Sequence, residues 1–356
     1  MKTKIAIVGA GDIFPAYAKG LAAQPGIELV AVADLKPEAA AARAAEAGIR
    51  ACTLTELLDG DAEIVVNLTP PAAHRAVGEQ VLVAGKHLYT EKPLAASYAD
   101  GCALLDAAAR AGRRVGCAPD TFLGSAGQAA RAWVDAGKLG RVVAGQACMM
   151  ERGPDDWHPN PAFFYGPGAG PLMDMGVYYL SQLVQLLGPV RRVSGMARTS
   201  WPVRTVPRGP REGQRIDVAT PTHIVAGLDF ESGAFVTLAT SFDVWKHQSP
   251  QIELYGEQGS LVLPDPNRFD GPVQHCEADG DWQELAVPAA SLGRQRGIGV
   301  ADMAAALRTG REPRTGGALG LHVLEIMDAT LRAADGGQAL ALQTRCERPA
   351  PLDETL

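Results

Sequence analysis

The chain of 356 residues lacks any apolar run approaching the ~20 residues that a bilayer-spanning helix needs; its longest candidates are broken by Gly, Gln or a charge. A soluble protein is therefore expected, with no membrane partner. It also lacks an excess of positive charge, since 33 Lys and Arg stand against 40 Asp and Glu. Nucleic acid would select the opposite balance, so it is not expected as a partner either. The six cysteines (Cys52, Cys102, Cys117, Cys148, Cys276, Cys346) are scattered, without a Cys-x-x-Cys pair and without clustered His. That argues against a disulfide framework and a zinc site, so no metal is expected and a reducing cytoplasm is the expected compartment. Met1-Lys2-Thr3-Lys4 before Ile5-Ala6-Ile7-Val8 imitates a signal peptide, but Asp12 interrupts it and no small-residue cleavage site follows. It reads as a first strand. No repeat of fixed period is present.

What is there is a globular composition, 47% hydrophobic and 21% charged. Its length favours two domains, because single cores stop growing at about 250–300 residues. From Lys4 to Cys117 short aliphatic runs (Ile5–Val8, Leu29–Ala33, Ile64–Leu68, His87–Thr90, Arg114–Cys117) alternate with Ala-rich helical stretches near 13–23, 37–47, 73–84 and 97–111. That rhythm is one of parallel strands joined by crossover helices. After Phe122 it changes. Helices near 126–136 and 172–187 are followed by period-2 runs at 141–149, 190–197, 222–230, 233–242, 251–256 and 259–263, and helices near 298–309 and 317–335 close the chain. The expected fold is α/β: an N-terminal Rossmann doubly wound parallel sheet over 1–122, then an α+β domain over 123–356 with a large, mostly antiparallel open sheet. Residues 199–216, rich in Pro and Arg, read as an irregular connection, either an exposed loop or an arm reaching substrate or another subunit.

Gly9-Ala10-Gly11-Asp12-Ile13-Phe14 follows the first strand and opens a helix. A Gly-rich turn there lets backbone N–H groups approach a pyrophosphate at a helix N-terminus. Phe14 stands where a third Gly is usual. Asp34, at the tip of the second strand, can take both ribose hydroxyls and repel a 2′-phosphate, so NAD is favoured, while Lys36 nearby leaves NADP open. Thr69-Pro70-Pro71-Ala72-Ala73-His74 and Glu91-Lys92-Pro93 end two further strands, at the edge where open α/β sheets bind ligands. Thr69, Pro70, His74, Glu91 and Lys92 thus join Gly9, Gly11, Asp12, Ile13, Phe14 and Asp34 as expected cofactor-site residues. An ammonium at Lys92 could also donate to a substrate hydroxyl and stabilise alkoxide character.

With these three motifs in order, the chain resembles the Gfo/Idh/MocA family of nicotinamide-dependent oxidoreductases. The resemblance extends to Gly168-Ala169-Gly170-Pro171-Leu172-Met173-Asp174-Met175-Gly176-Val177-Tyr178, which looks like that family's Gly-Gly-Gly-x-x-x-Asp-x-Gly-x-His segment. Ala169 replaces the middle Gly. Tyr178 replaces the catalytic His, as in one branch of the family. The resemblance implies that Lys92, Asp174 and Tyr178 are catalytic and that the substrate is a sugar, polyol or glycoside. Asp174 and Tyr178, four apart on a helix, would share a face; Tyr178 could instead be a core aromatic, with Tyr179 the ligand. Trp157 and His158 suit a sugar ring and its hydroxyls, or else merely pack their loop. Asp120 could face the substrate or cap the next helix. His322, on an apolar helix, reads as a core histidine.

Two enzyme readings follow: a dehydrogenase with net cofactor reduction, and a glycosidase that oxidises the sugar transiently and eliminates the aglycone. A non-catalytic dinucleotide sensor is the alternative from another class. Val225, Leu228, Val236, Leu238 and Ile252 offer more apolar surface than one helix-covered sheet face needs, so a homodimer or homotetramer through that sheet is expected.

Overall fold

In the computed structural model, which describes residues 2–287 and 292–352, the strands β1 (Thr3–Val8), β2 (Ile27–Ala33), β3 (Arg50–Cys52), β4 (Ile64–Asn67), β5 (His87–Thr90) and β6 (Val115–Cys117) form one parallel sheet. Its order, β3-β2-β1-β4-β5-β6, is that of a dinucleotide-binding sheet, with the reversal of winding between β1 and β4. The crossovers are α1 (Phe14–Ala22), α2 (Pro37–Ala47), α3 (Leu54–Leu58), α4 (Pro71–Val83) and α5 (Tyr98–Ala111). The short pair β3 and α3 escaped the sequence reading. Its signal was a capping box, Thr53 accepting from Glu56 N–H and Glu56 reaching back to Thr53 N–H.

The chain divides into two units: one runs to Leu123 and takes in Gly293–Leu324, the other holds Gly124–Leu292 and Glu325–Pro351. The segment Gly293–Leu324, which follows the second unit's strands in sequence, thus returns to the first unit. The helix Ile298–Thr309 puts Val300, Met303 and Ala304 into the core of the first unit, beside Ile7, Phe14, Val32 and Val66. Burying such side chains contributes about 1.5–3 kcal/mol each for the larger ones, but an apolar face does not announce which sheet it will meet. His322 is fully buried, as expected.

In the second unit α6 (Ser125–Asp135) precedes β7 (Val142–Met150), and α7 (Val177–Leu187) precedes β8 (Val190–Arg198). β9 (Val203–Thr205) and β10 (Arg215–Asp217) pair as a separate antiparallel hairpin, so the Arg-rich connection is ordered. Next come β11 (His223–Phe230), β12 (Phe235–Ser241), β13 (Ile252–Gly256), β14 (Gly259–Leu263), β15 (Gln274–Glu277), β16 (Gln283–Glu284) and β17 (Leu340–Ala341). The large sheet runs β16-β15-β14-β13-β7-β12-β11-β8-β17. β12 and β7 pair in parallel and every other neighbour antiparallel. Of the residues offered as an association surface, Leu228, Val236, Leu238 and Ile252 are buried on the covered face. Strand alternation puts only Val225 on the open one, cross-strand from Met196. Exposed Met196 and Phe235 are the apolar groups there that sequence inspection passed over.

Candidate functional site

The first unit builds a turn suited to a dinucleotide. Gly9 takes φ +107°, and a Cβ on it would lie 2.7 Å from the carbonyl carbon of Leu68, at the end of β4. Only glycine fits both the dihedral and the approach. Nothing lies within 4 Å of the Cβ position of Gly11, and Gly11 and Asp12 are exposed. α1 starts without a side-chain cap, and Pro15 has no N–H. The amides of Asp12 and Ile13 are therefore left for an anion. Phe14 fills the third motif position from within the core, 1% exposed.

Asp34 stands beside this turn. Its Oδ2 accepts the Ala10 N–H at 2.8 Å and its Oδ1 the Lys36 N–H at 2.9 Å. An ionised carboxylate has about four acceptor positions, so two remain for ribose hydroxyls. The residues fit a dinucleotide: an open glycine cradle, amides at a helix start and a half-exposed carboxylate at the strand tip.

His74 was expected to touch the cofactor; it is fully buried instead, with Nδ1 2.8 Å from Pro93 O and Nε2 2.8 Å from Thr69 O. It ties the Thr69 and Lys92-Pro93 turns together rather than facing a ligand. Asn67 adds to the same tie, accepting from Thr69 Oγ1 at 2.7 Å and donating to His74 O at 3.3 Å. Glu91 is also turned inward. Its Oε1 accepts from Tyr17 of α1 at 2.8 Å and its Oε2 from the Lys92 N–H at 2.9 Å. Lys92 follows at a half-buried position, and the Lys92-Pro93 peptide is cis.

Asp120, also expected at the substrate, is fully buried. Its Oδ2 accepts the N–H groups of Gly297 and Gly299, at 2.8 and 3.1 Å. It caps a helix almost two hundred residues away in sequence, not the next one, which no local pattern could reveal.

In the second unit the Gly168–Pro171 turn needs its outer glycines: Gly168 and Gly170 have φ +75° and +93°. A Cβ at Gly170 would lie 2.8 Å from Pro221 O. Residues Leu172–Gly176, holding Asp174, form a π-turn leading into α7. The single-helix phase assumed for Asp174 and Tyr178 is therefore altered; such turns are frequent at functional sites. Asp174 is half-buried and Tyr178 buried. Tyr179, the competing ligand, donates its hydroxyl to Gln251, and burial pushes that hydroxyl well up, so it is committed to structure. Glu151, beyond the end of β7, was missed. The residue is open to solvent, yet partial burial of its carboxyl and the neighbouring charge of Asp174 raise its pKa.

Trp157 is 64% exposed, and His158 is edge-on to it and to Phe164. The His158 Nδ1 accepts the Asn160 N–H at 3.0 Å. The β9–β10 hairpin holds this loop: Arg204, 4% exposed, donates to Asp155 at 2.6 Å and to Asp243 at 2.8 Å. Tyr165 also donates to Asp155, and Arg208 pairs with Asp156. Among the described residues no cluster of His, Cys, Asp or Glu could hold a metal, and no helix is long and apolar enough to cross a membrane.

Two family descriptions match: an oxidoreductase family with an NAD-binding Rossmann fold over residues 3–118, and a GFO/IDH/MocA C-terminal domain over residues 128–262. A dTDP-3,4-didehydro-2,6-dideoxy-alpha-D-glucose 3-reductase of Streptomyces violaceoruber is 30% identical over 237 residues, 64% of this chain and 63% of that protein. Galactose 1-dehydrogenase of Pseudomonas fluorescens is 32% identical over 141 residues, 38% of this chain and 42% of the relative. The chain thus spans less than two thirds of the length of these curated relatives. Among solved structures, a levoglucosan dehydrogenase in complex with NADH and L-sorbose has TM-score 0.83 at 22% identity, over 96% of this chain and 99% of that one. Aldose-aldose oxidoreductase from Caulobacter crescentus, complexed with glycerol, has TM-score 0.82 at 24% identity, over 96% and 100%. At such identities the likeness establishes the fold. The chain belongs to the GFO/IDH/MocA oxidoreductase family, and its N-terminal unit is that family's NAD-binding Rossmann domain.

Proposed function

We propose that this protein is an oxidoreductase moving a hydride between the hydroxyl-bearing carbon of a sugar, polyol or glycoside and NAD. The observation that carries the reading is the Lys92 turn: a lysine at the carboxyl edge of β5, in the same sheet as the Gly9 turn, with its backbone held by buried Glu91. The bound nicotinamide supplies the hydride acceptor. Lys92 donates to the substrate oxygen and holds its developing negative charge as the C–H bond breaks. Tyr178 relays the hydroxyl proton. Asp174 orients the hydroxyl, and Trp157 with His158 supplies an aromatic face and an imidazole for the ring. The carbohydrate class is supported by the names of the relatives, which act on a deoxysugar nucleotide and on galactose.

The working form in this reading is a homodimer or homotetramer joined through the open sheet face carrying Met196, Val225 and Phe235, in a reducing cytoplasm that suits free cysteines. A monomer by light scattering at micromolar concentration would refute the assembly. The function is tested by incubating the full chain with NAD and a sugar panel while following reduced nicotinamide by absorbance. Net reduction supports a dehydrogenase; aglycone release without it transfers the assignment to transient oxidation and elimination; tight NAD binding with no turnover at all removes the enzyme reading.

A further inference from the structure

The segment before the helix Ile298–Thr309 is clamped inside the first unit by three contacts. The carbonyl of Arg296 lies where a Cβ on Gly20 of α1 would be, 1.6 Å away, so only glycine admits it. The N–H groups of Gly297 and Gly299 end on Asp120. Nη1 of Arg296 lies 3.8 Å from Glu91 Oε1 and 3.9 Å from Asp120 Oδ1. Two buried carboxylates thus share one guanidinium. One of them, Glu91, holds the Lys92 N–H on one oxygen and the Tyr17 hydroxyl on the other.

We propose that Arg296 is a positioning residue for Lys92: as the counter-ion of Glu91 and Asp120 it keeps the Glu91 carboxylate in place, and with it the backbone of Lys92. The inference rests on Lys92 handling the substrate oxygen. Burial pushes the Asp120 carboxyl up, and the Arg296 charge is the largest influence pulling it back. Tyr17 from α1, Tyr89 from β5 and Cys117 from β6 face the same cluster but have no cationic form, and burial lowers the pKa of His74 from α4, which also faces Glu91, so none replaces the missing positive charge. Without Arg296, the Asp120 carboxyl loses the main influence that holds it down and is driven further toward its protonated form. Glu91 is left without its cation, and nothing then fixes its carboxylate between the Lys92 N–H and the Tyr17 hydroxyl.

The test compares Arg296→Met and Arg296→Lys with wild type in the full chain. Arg296→Met should lower kcat about a hundredfold, the scale of a misplacement near 1 Å, with sugar KM and NAD affinity within a few-fold. Arg296→Lys should recover most of the rate, because the charge is kept. A carboxyl with a raised folded-state pKa loses its stabilising effect as pH rises, so the melting-temperature deficit of Arg296→Met should grow from pH 5 to pH 8. An arm that needs no substrate measures acetylation of Lys92 by a succinimidyl ester, using peptide mass spectrometry with Lys36 as internal reference. A severalfold change at Lys92 alone supports the inference even if no sugar is turned over, in which case only the functional reading fails. An unchanged Lys92 rate, or a pH-independent deficit that Arg296→Lys does not rescue, overturns it.

Discussion

Replacing Asp34 with alanine should weaken NAD binding and strengthen NADP binding, and the size of each effect can be worked from the geometry. The carboxylate holds two backbone N–H groups, at 2.8 and 2.9 Å, and keeps free lone pairs for two ribose hydroxyls. Hydrogen bonds to a charged acceptor contribute about 1.5–3 kcal/mol each. The position is half-exposed, so water takes over part of that loss, and a net ~2.7 kcal/mol, about a hundredfold in Kd, is expected. For NADP the sign reverses. A phosphate charge about 4 Å from the carboxylate is repelled by roughly 1 kcal/mol in water and ~4 kcal/mol at an effective dielectric constant of 20. Removing the carboxylate relieves that repulsion, and the gain should shrink in high salt. Asp34→Asn is the sharper variant, because its NH2 must confront one of two N–H donors; it should bind NAD no better than Asp34→Ala. Fluorescence titration with both cofactors reads all of this, and thermal melting separates loss of the turn from loss of ligand bonds. If Asp34→Ala leaves the NAD constant within threefold and NADP unchanged, the carboxylate serves only the turn.

Lys92→Met should cut hydride transfer by about 10²–10⁴, the range for a lost proton-handling group, with NAD affinity within a few-fold; lost cofactor binding instead would reassign Lys92 to the nucleotide. Tyr178→Phe should have a comparable effect on kcat, whereas Tyr179→Phe, losing only its bond to Gln251, should retain activity and forfeit about 1 kcal/mol of stability. Gly9→Ala combines a 2.7 Å clash with Leu68 and a φ of +107°; calorimetry should show at least the ~1–3 kcal/mol of a strained backbone. Arg204→Ala strands buried Asp155 and Asp243 without their cation, at a cost of roughly 3–5 kcal/mol in urea unfolding.

The cofactor half was legible because its determinants are local. Strand, glycine turn, helix and carboxylate fall within the first 34 residues, although the close approach that demands Gly9 comes from Leu68. What escaped depends on distant partners. Asp120 is a cap for Gly297 and Gly299, and Arg296 meets Glu91 only because the chain returns after Gly293. Sheet faces failed for a related reason. Val225 and Leu228 differ by an odd step along β11, so one is open and the other covered, although both look equally apolar in sequence. Nothing in Leu172–Gly176 signals in sequence a turn wider than an α-helix.

The arginine hairpin has a practical consequence for anyone re-engineering the Trp157 loop. Arg204 grips Asp155 and Asp243, and Arg208 and Arg211 reach Asp156 and Asn160. The Trp157 loop is thus a two-piece assembly whose halves are separated in sequence. Grafting this loop from a relative without its matching hairpin would leave cations and carboxylates mispaired, so a successful transplant has to carry residues 151–165 and 199–218 together, with the residue at 243 chosen to match.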